Sequence, residues 1–169
     1  LSALRQAQQP ADSLLAAHFK ANRSLGPRER AALSDACFAA LRERNWLTHL
    51  AKDGPGDAAG RTRRLALLAL ASTGAPTADA TPEEATWLQT ALATPEPANL
   101  NDPMRHNLPQ WLAQRLQAQI GEAAWPLAQA LLQPAPLDVR VNTALVKRDK
   151  VAAQLAADGH PSAETPHSP

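Results

Sequence analysis

Apolar residues recur at helical intervals through most of the first 130 positions of this chain. Leu14, Leu15, His18 and Phe19 share one face after Pro10, a proline suited to a first helical turn, and predict a helix over 11–22. Leu25, Gly26 and Pro27 then make a turn. Leu33, Cys37 and Leu41, with Ala36 and Ala40 beside them, form an apolar stripe at intervals of four, the strongest helical signal in the chain. It continues or restarts through Trp46, Leu47 and Leu50 until Gly54, Pro55 and Gly56 interrupt it. Residues 61–72 carry three arginines and then LALLALA, apolar on nearly every side, which predicts a buried central helix. Thr81, Pro82, Glu83 and Glu84 supply a cap, a first-turn proline and early acids for a helix over 82–93.

Pro95, Pro97, Asn101 and Pro103 predict an irregular loop over 94–107. A helix pair over 108–120 and 122–133 follows, split by Gly121, with Trp111, Leu112, Leu116, Ile120, Leu127 and Leu131 expected in the core and Pro126 tolerated early in the second member. The period then changes. Within PAPLDVRVNT, residues 134–143, Leu137, Val139 and Val141 alternate with Asp138, Arg140 and Asn142, the two-residue repeat of a half-buried strand. A helix over 147–158, ended by Gly159, is expected next. One strand and one helix do not complete a sheet. The expected organisation is therefore a helical domain over 1–133 and, over 134–169, the opening of a second domain whose remainder lies elsewhere; the start at Leu1 suggests a preceding segment too.

Composition narrows the class. Hydrophobic residues make up 44 %, mostly alanine and leucine, while aromatics are 4 % and tyrosine is absent, which favours helix packing over a β-sandwich. The fold class expected is mostly α. A single cysteine excludes a disulfide framework or a cysteine-rich zinc site, and no apolar run reaches the roughly 18 residues of a membrane span. A cytoplasmic protein without membrane or metal partners is the expectation.

The net charge of +1 hides an asymmetry. Residues 1–64 hold 11 Lys/Arg against 6 Asp/Glu, whereas residues 65–138 hold 2 against 7. Such a basic third suits a polyanion, although a merely dipolar surface has the same pattern. The phosphate-loop, dinucleotide, HExxH zinc and GxSxG acyl-transfer motifs are all missing. Cys37 on its apolar stripe reads as an inert buried thiol, His18 as a core or boundary histidine, and His106, His160 and His167 as loop residues without a second ligand. The arginines are the better candidates: Arg28 and Arg30 with Arg23 flank the first turn, Arg42 and Arg44 end the strongest helix, and Arg61, Arg63 and Arg64 open the central one. Guanidinium matches phosphate geometry, and together they point to RNA. Singly, Arg42 and Arg44 also complement a helix C-terminus, and Arg28 has acids nearby to pair with.

ADSLLAAHFKANRSLGPRERAALSDACFAALRERNWL, and within it LGPRERAALSDACFAALR, resembles the NusB-like helical domain of bacterial ribosomal RNA cytosine-C5 methyltransferases of the RsmB/Sun family. LPQWLAQRLQAQIGEAAWPLAQALLQPAPLDVRVNTALVKRDKVAAQLAADG, residues 108–159, resembles the same family's Leu-Pro-x-Trp-Leu segment, helix pair and Arg-Val-Asn-Thr strand, in the same order. The resemblance implies a NusB-like bundle followed by the first strand-helix(-strand) of an incomplete RRM-like α/β subdomain. It implies a parent enzyme that moves a methyl group from S-adenosylmethionine to a cytosine of 16S ribosomal RNA. It also implies two catalytic cysteines, in Pro-Cys and Thr-Cys motifs that do not occur here. No catalytic or cofactor-binding residue carries over, and this chain alone is expected to be inactive. Arg140 and Asn142 carry over as an RNA-proximal or structural pair, with 16S rRNA and the parent's own C-terminal methyltransferase domain as partners. A free-standing NusB-like adaptor for RNA or a protein in transcription is the alternative; a domain that only braces the catalytic core is a third.

Overall fold

A computed structural model describes residues 9–57, 59–133, 135 and 137–165. The chain divides into two compact units, Leu1–Pro134 and Ala135–Pro169. The first contains α1 (Ala11–Ala21), α2 (Pro27–Arg42), α3 (Arg44–Leu50), α4 (Arg61–Ser72), α5 (Pro82–Leu92), the single turn α6 (Pro103–His106), α7 (Gln110–Ile120) and α8 (Ala124–Leu131), with a 3-10 turn at Gly121–Ala123. The protein is mostly helical, as its periodicity and composition predict.

The helix starts follow local chemistry. Pro27 and Pro82 occupy first turns, where a missing N–H costs nothing. Glu29 accepts a 2.6 Å hydrogen bond from Gly26 N–H at the start of α2. At α5 the cap is reciprocal: Glu84 N–H donates to Thr81 Oγ1 at 3.2 Å and Thr81 N–H donates to Glu84 Oε2 at 2.8 Å. Arg63 locks this cap to α4, donating to both Glu84 oxygens at 2.6 and 2.9 Å and to the Asp79 carbonyl at 2.7 Å.

The Arg63 hydrogen bond, then the Thr81 N–H, pull the Glu84 carboxyl down to about 2 from the ordinary 4.5. A depressed carboxylate adds stability above its unfolded pKa and loses it as pH falls through the folded one. Urea midpoints of the wild type and Glu84→Gln should therefore differ most above about pH 5 and converge as pH drops toward about 2. A constant gap would show that Glu84 acts by packing alone.

The core centres on α4, whose Leu65, Leu67, Leu68 and Ala69 are buried between α2 and α5. Leu47 of α3 and Leu68 are the largest fully enclosed side chains. On α2 the buried residues are Ala36, Ala39 and Ala40, while Leu33, Cys37 and Leu41 are half-buried. The small side chains let the α4 backbone approach, and the larger members of the stripe flank the seam. Burial pushes the Cys37 thiol upward, which keeps it protonated and unreactive. His18 is exposed instead of lying in the core; it stands edge-on to Phe19 on the open side of α1.

Two expectations change in the α6–α8 region. The stretch 94–107 is not an irregular loop throughout: Asp102 caps α6 by accepting from Met104 N–H at 2.8 Å, and Asn107 stops it in the left-handed region at φ 51°. The α7–α8 core is also smaller than its apolar residues predict. Ala113, Ala124 and Trp125 form the seam, with Leu100, Leu108 and Leu116 against it. Trp111 (65 % exposed), Leu131 (63 %), Ile120 and Leu127 face outward. Gly121, at φ 57°, turns the chain tightly enough to put one small alanine against the other, leaving no room for large side chains between them. His106 is buried rather than a loop residue, stacked on Trp125 at 5.5 Å between centroids. Its Nδ1 accepts from Leu108 N–H at 3.0 Å, and burial lowers its pKa.

The second unit contains α9 (Arg148–Ala157). Residues 137–142 have no regular secondary structure, and no ladder partner occurs among the described residues. Leu137 and Val139 are exposed. Asn142 ends the segment in a turn, its side-chain oxygen accepting from Ala144 N–H at 3.2 Å and its carbonyl from Leu145 and Val146 N–H. The segments 137–143 and 161–165 line a groove with Val151, Ala152 and Leu155 of α9. Positions 134, 136 and 167 of the sequence-based expectations lie outside the described residues.

Candidate nucleic-acid interface

The structure sorts the nine candidate RNA-contact residues by what each already holds. Arg64 is 3 % exposed and faces inward, donating to the carbonyls of Ala51 at 2.9 Å, Pro55 at 2.7 Å and Asp57 at 3.0 Å. That corrects its reading as an RNA contact, because a guanidinium closing a buried loop cannot also reach a solvent phosphate. Arg63 is committed to Glu84 and Asp79. Arg30 donates to the Leu25 carbonyl at 2.8 Å and lies 5.7 Å from the Phe19 ring centroid, holding the α1–α2 turn. Asn142 uses its side-chain oxygen on its own turn.

Arg28, Arg44, Arg61 and Arg140 are exposed and Arg42 is half-buried. Among the described residues no hydrogen bond or ion pair holds any of the five. Those of the first unit are spread over several helix ends. Arg28 and Arg42 stand at opposite ends of the 16-residue α2, roughly 21 Å apart along its axis. Arg61 opens α4, whose other end, at Ser72 and Thr73, meets the C-terminus of α2. Arg140 belongs to the second unit.

At that meeting of helix ends lies a cleft of about 320 Å³ within the first unit. Ala39 and Arg42 of α2 and the following Glu43 form one wall; Ser72 and Thr73 after α4 and Gln129 of α8 form another. Trp46, Met104 and Leu132 supply its apolar surface, and Glu96 and Arg105 form an ion pair at its edge. The α2–α3 junction is held by residues some 60 positions away. Asn45 N–H donates to Asn107 Oδ1 at 2.9 Å, Asn107 Nδ2 to the Leu41 carbonyl at 2.9 Å, and Asn45 Nδ2 to the Pro103 carbonyl at 2.8 Å. Burial, then the neighbouring Glu96, pushes the Glu43 carboxyl upward against the pull of Arg42. Gln129 Oε1 and Arg105 Nε are buried without a partner. None of Glu43, Glu96, Arg105 or Gln129 stands out in the sequence, because they come from separate segments that only folding unites.

No group of acidic, histidine and cysteine side chains among the described residues is arranged to hold a metal ion, and no helix of the structure is long and apolar enough to cross a membrane. None of the seven glycines lies in a turn between a strand and a helix among the described residues. The family model for the ferredoxin-like domain of RsmF/RsmB-like methyltransferases matches residues 108–169. No curated protein and no solved structure matches the chain.

Proposed function

We propose that this chain is the RNA-contacting portion of an S-adenosylmethionine-dependent 16S rRNA cytosine-C5 methyltransferase, and that methyl transfer is performed by a segment outside these 169 residues. The observation that carries the reading is the match of 108–169 to a methyltransferase-associated domain, a stretch that runs from α7 and α8 into the second unit, in a chain whose first unit carries unpaired arginines at helix ends. In this reading the first unit is a NusB-like bundle. A free-standing adaptor accounts less well for that match.

The helical unit contributes phosphate contacts through Arg28, Arg44 and Arg61, and the second unit through Arg140. The separation of Arg28, in the first turn of α2, from Arg44, just beyond its other end, suits a polyanion laid across the surface better than one bound phosphate. Its part in the reaction is to position the rRNA while the catalytic segment flips out and modifies the base. S-adenosylmethionine would be held by that segment.

Salt-dependent binding tests this. A 16S rRNA fragment titrated against the chain should give a linear fall of log affinity with log salt, and Arg28→Glu, Arg44→Glu and Arg61→Glu together should reduce the slope by about 2 or more. An unchanged slope and affinity would leave the helical unit with a bracing role only. Arg64→Ala, by contrast, should leave the slope of the folded fraction unaltered.

A further inference from the structure

We infer that the cleft where α2, α4 and α8 end is a pocket for one guanine of single-stranded RNA, the Glu43 carboxylate taking the base's N1–H and N2–H2 and Arg42 its O6. This rests on the RNA reading above and adds a base preference that phosphate contacts cannot supply.

The cleft is rich in acceptors. Three helix C-termini converge on it, and each brings partial negative charge. Glu96 is neutralised by Arg105, but the Glu43 carboxylate has no hydrogen-bond partner among the described residues. A phosphate is therefore poorly suited to the site, since the Glu43 carboxylate and three helix ends oppose it. A bare cation is opposed in turn by Arg42. What fits is a neutral, flat group with several donors beside an acceptor.

Among the bases only guanine has that edge. Its N1–H and N2–H2 lie side by side and match both oxygens of a carboxylate, and O6 lies next to them for a guanidinium. Adenine and cytosine offer one amino group beside acceptors, and uracil one N–H between two carbonyls. Arg42 and Glu43 are consecutive residues at a helix end, and Arg42 is close enough to stabilise the Glu43 charge. Trp46, stacked on His49 at 5.5 Å, and Met104 give the base an apolar wall. The Asn45–Asn107 bonds hold this junction in place before any ligand arrives, which lowers the ordering cost of binding. A volume of about 320 Å³ is sufficient for one base.

The test is fluorescence anisotropy of the chain with a short oligouridine RNA carrying one central guanosine, and with inosine or adenosine in its place. Inosine lacks only the 2-amino group, so it should bind about tenfold more weakly than guanosine at equal salt, and adenosine at least as weakly. Glu43→Gln should abolish the guanosine–inosine difference while keeping the salt slope. Because the inosine comparison alters only the RNA, it holds whether or not that variant folds. Equal affinity for all three RNAs with a normal salt slope would overturn the pocket and leave the RNA reading standing. No binding to any of them would overturn both. Binding in which an arginine dipeptide amide occupies the cleft and guanosine has no advantage would assign it to a protein side chain and overturn the guanine pocket.

Discussion

Arg64→Ala is expected to destabilise the helical unit by about 3 kcal/mol, lowering its melting temperature by about 10 °C. The carbonyls of Ala51, Pro55 and Asp57 lie within 3.0 Å of this one guanidinium, with that of Gly56 at 3.4 Å, and the side chain is 3 % exposed. Hydrogen bonds to a charged donor are each worth more than neutral ones, and a buried carbonyl left without a partner carries its full desolvation penalty. The segment after α3 partly offsets this by opening to water, which keeps the loss below the sum of three bonds. Arg64→Lys keeps the charge but supplies one compact ammonium where a planar fork served several acceptors, so it should recover less than half. Differential scanning calorimetry of both variants would decide. A loss below about 0.5 kcal/mol for Arg64→Ala, the range of an ordinary surface change, would mean that the carbonyls satisfy themselves elsewhere.

That inward arginine marks the limit of what the sequence reveals. Its fate has a faint signal: Arg64 stands four residues before Leu68, so both share the face of α4 that becomes fully enclosed. Composition alone groups it with Arg61 and Arg63, and only the fold separates one outward arginine, one capping arginine and one clamp. Helix positions were more legible, because Pro27, Pro82, Thr81 and Glu84 act within their own turn. The order in 94–107 was not, since Asn107 finds Asn45 and Leu41 only after α2 and α6 have packed. For the same reason the cleft was invisible; its charged walls come from residues 42–43, 96 and 105, which no spacing relates. The burial of α7 and α8 was overestimated because apolar periodicity names a face and not its partner. At short helices joined by a glycine turn, alanines make the seam and Trp111 stays outside.

Gly54→Ala should cost about 2–3 kcal/mol, more than its chemistry suggests for a loop residue. A Cβ built there lies 2.3 Å from Arg64 Cδ and 2.6 Å from Trp87 Cε2, both far inside contact distance. Neither neighbour is a loose side-chain tip. Arg64 Cδ is mid-stem on a side chain pinned at its far end by three carbonyls, and the Trp87 ring packs against the main core. The usual gain of replacing glycine, about 0.4–1 kcal/mol from a less flexible unfolded chain, is therefore reversed in sign. The two substitutions must also couple, because they act on the same atoms. In an Arg64→Ala background the 2.3 Å clash disappears and only the Trp87 approach remains, so Gly54→Ala should cost roughly half as much there, a coupling of about 1 kcal/mol. Urea unfolding of the four members of this cycle measures it directly. Additive losses, or a stabilised Gly54→Ala single variant, would show that the loop after α3 does not close over Arg64 as tightly as its geometry requires.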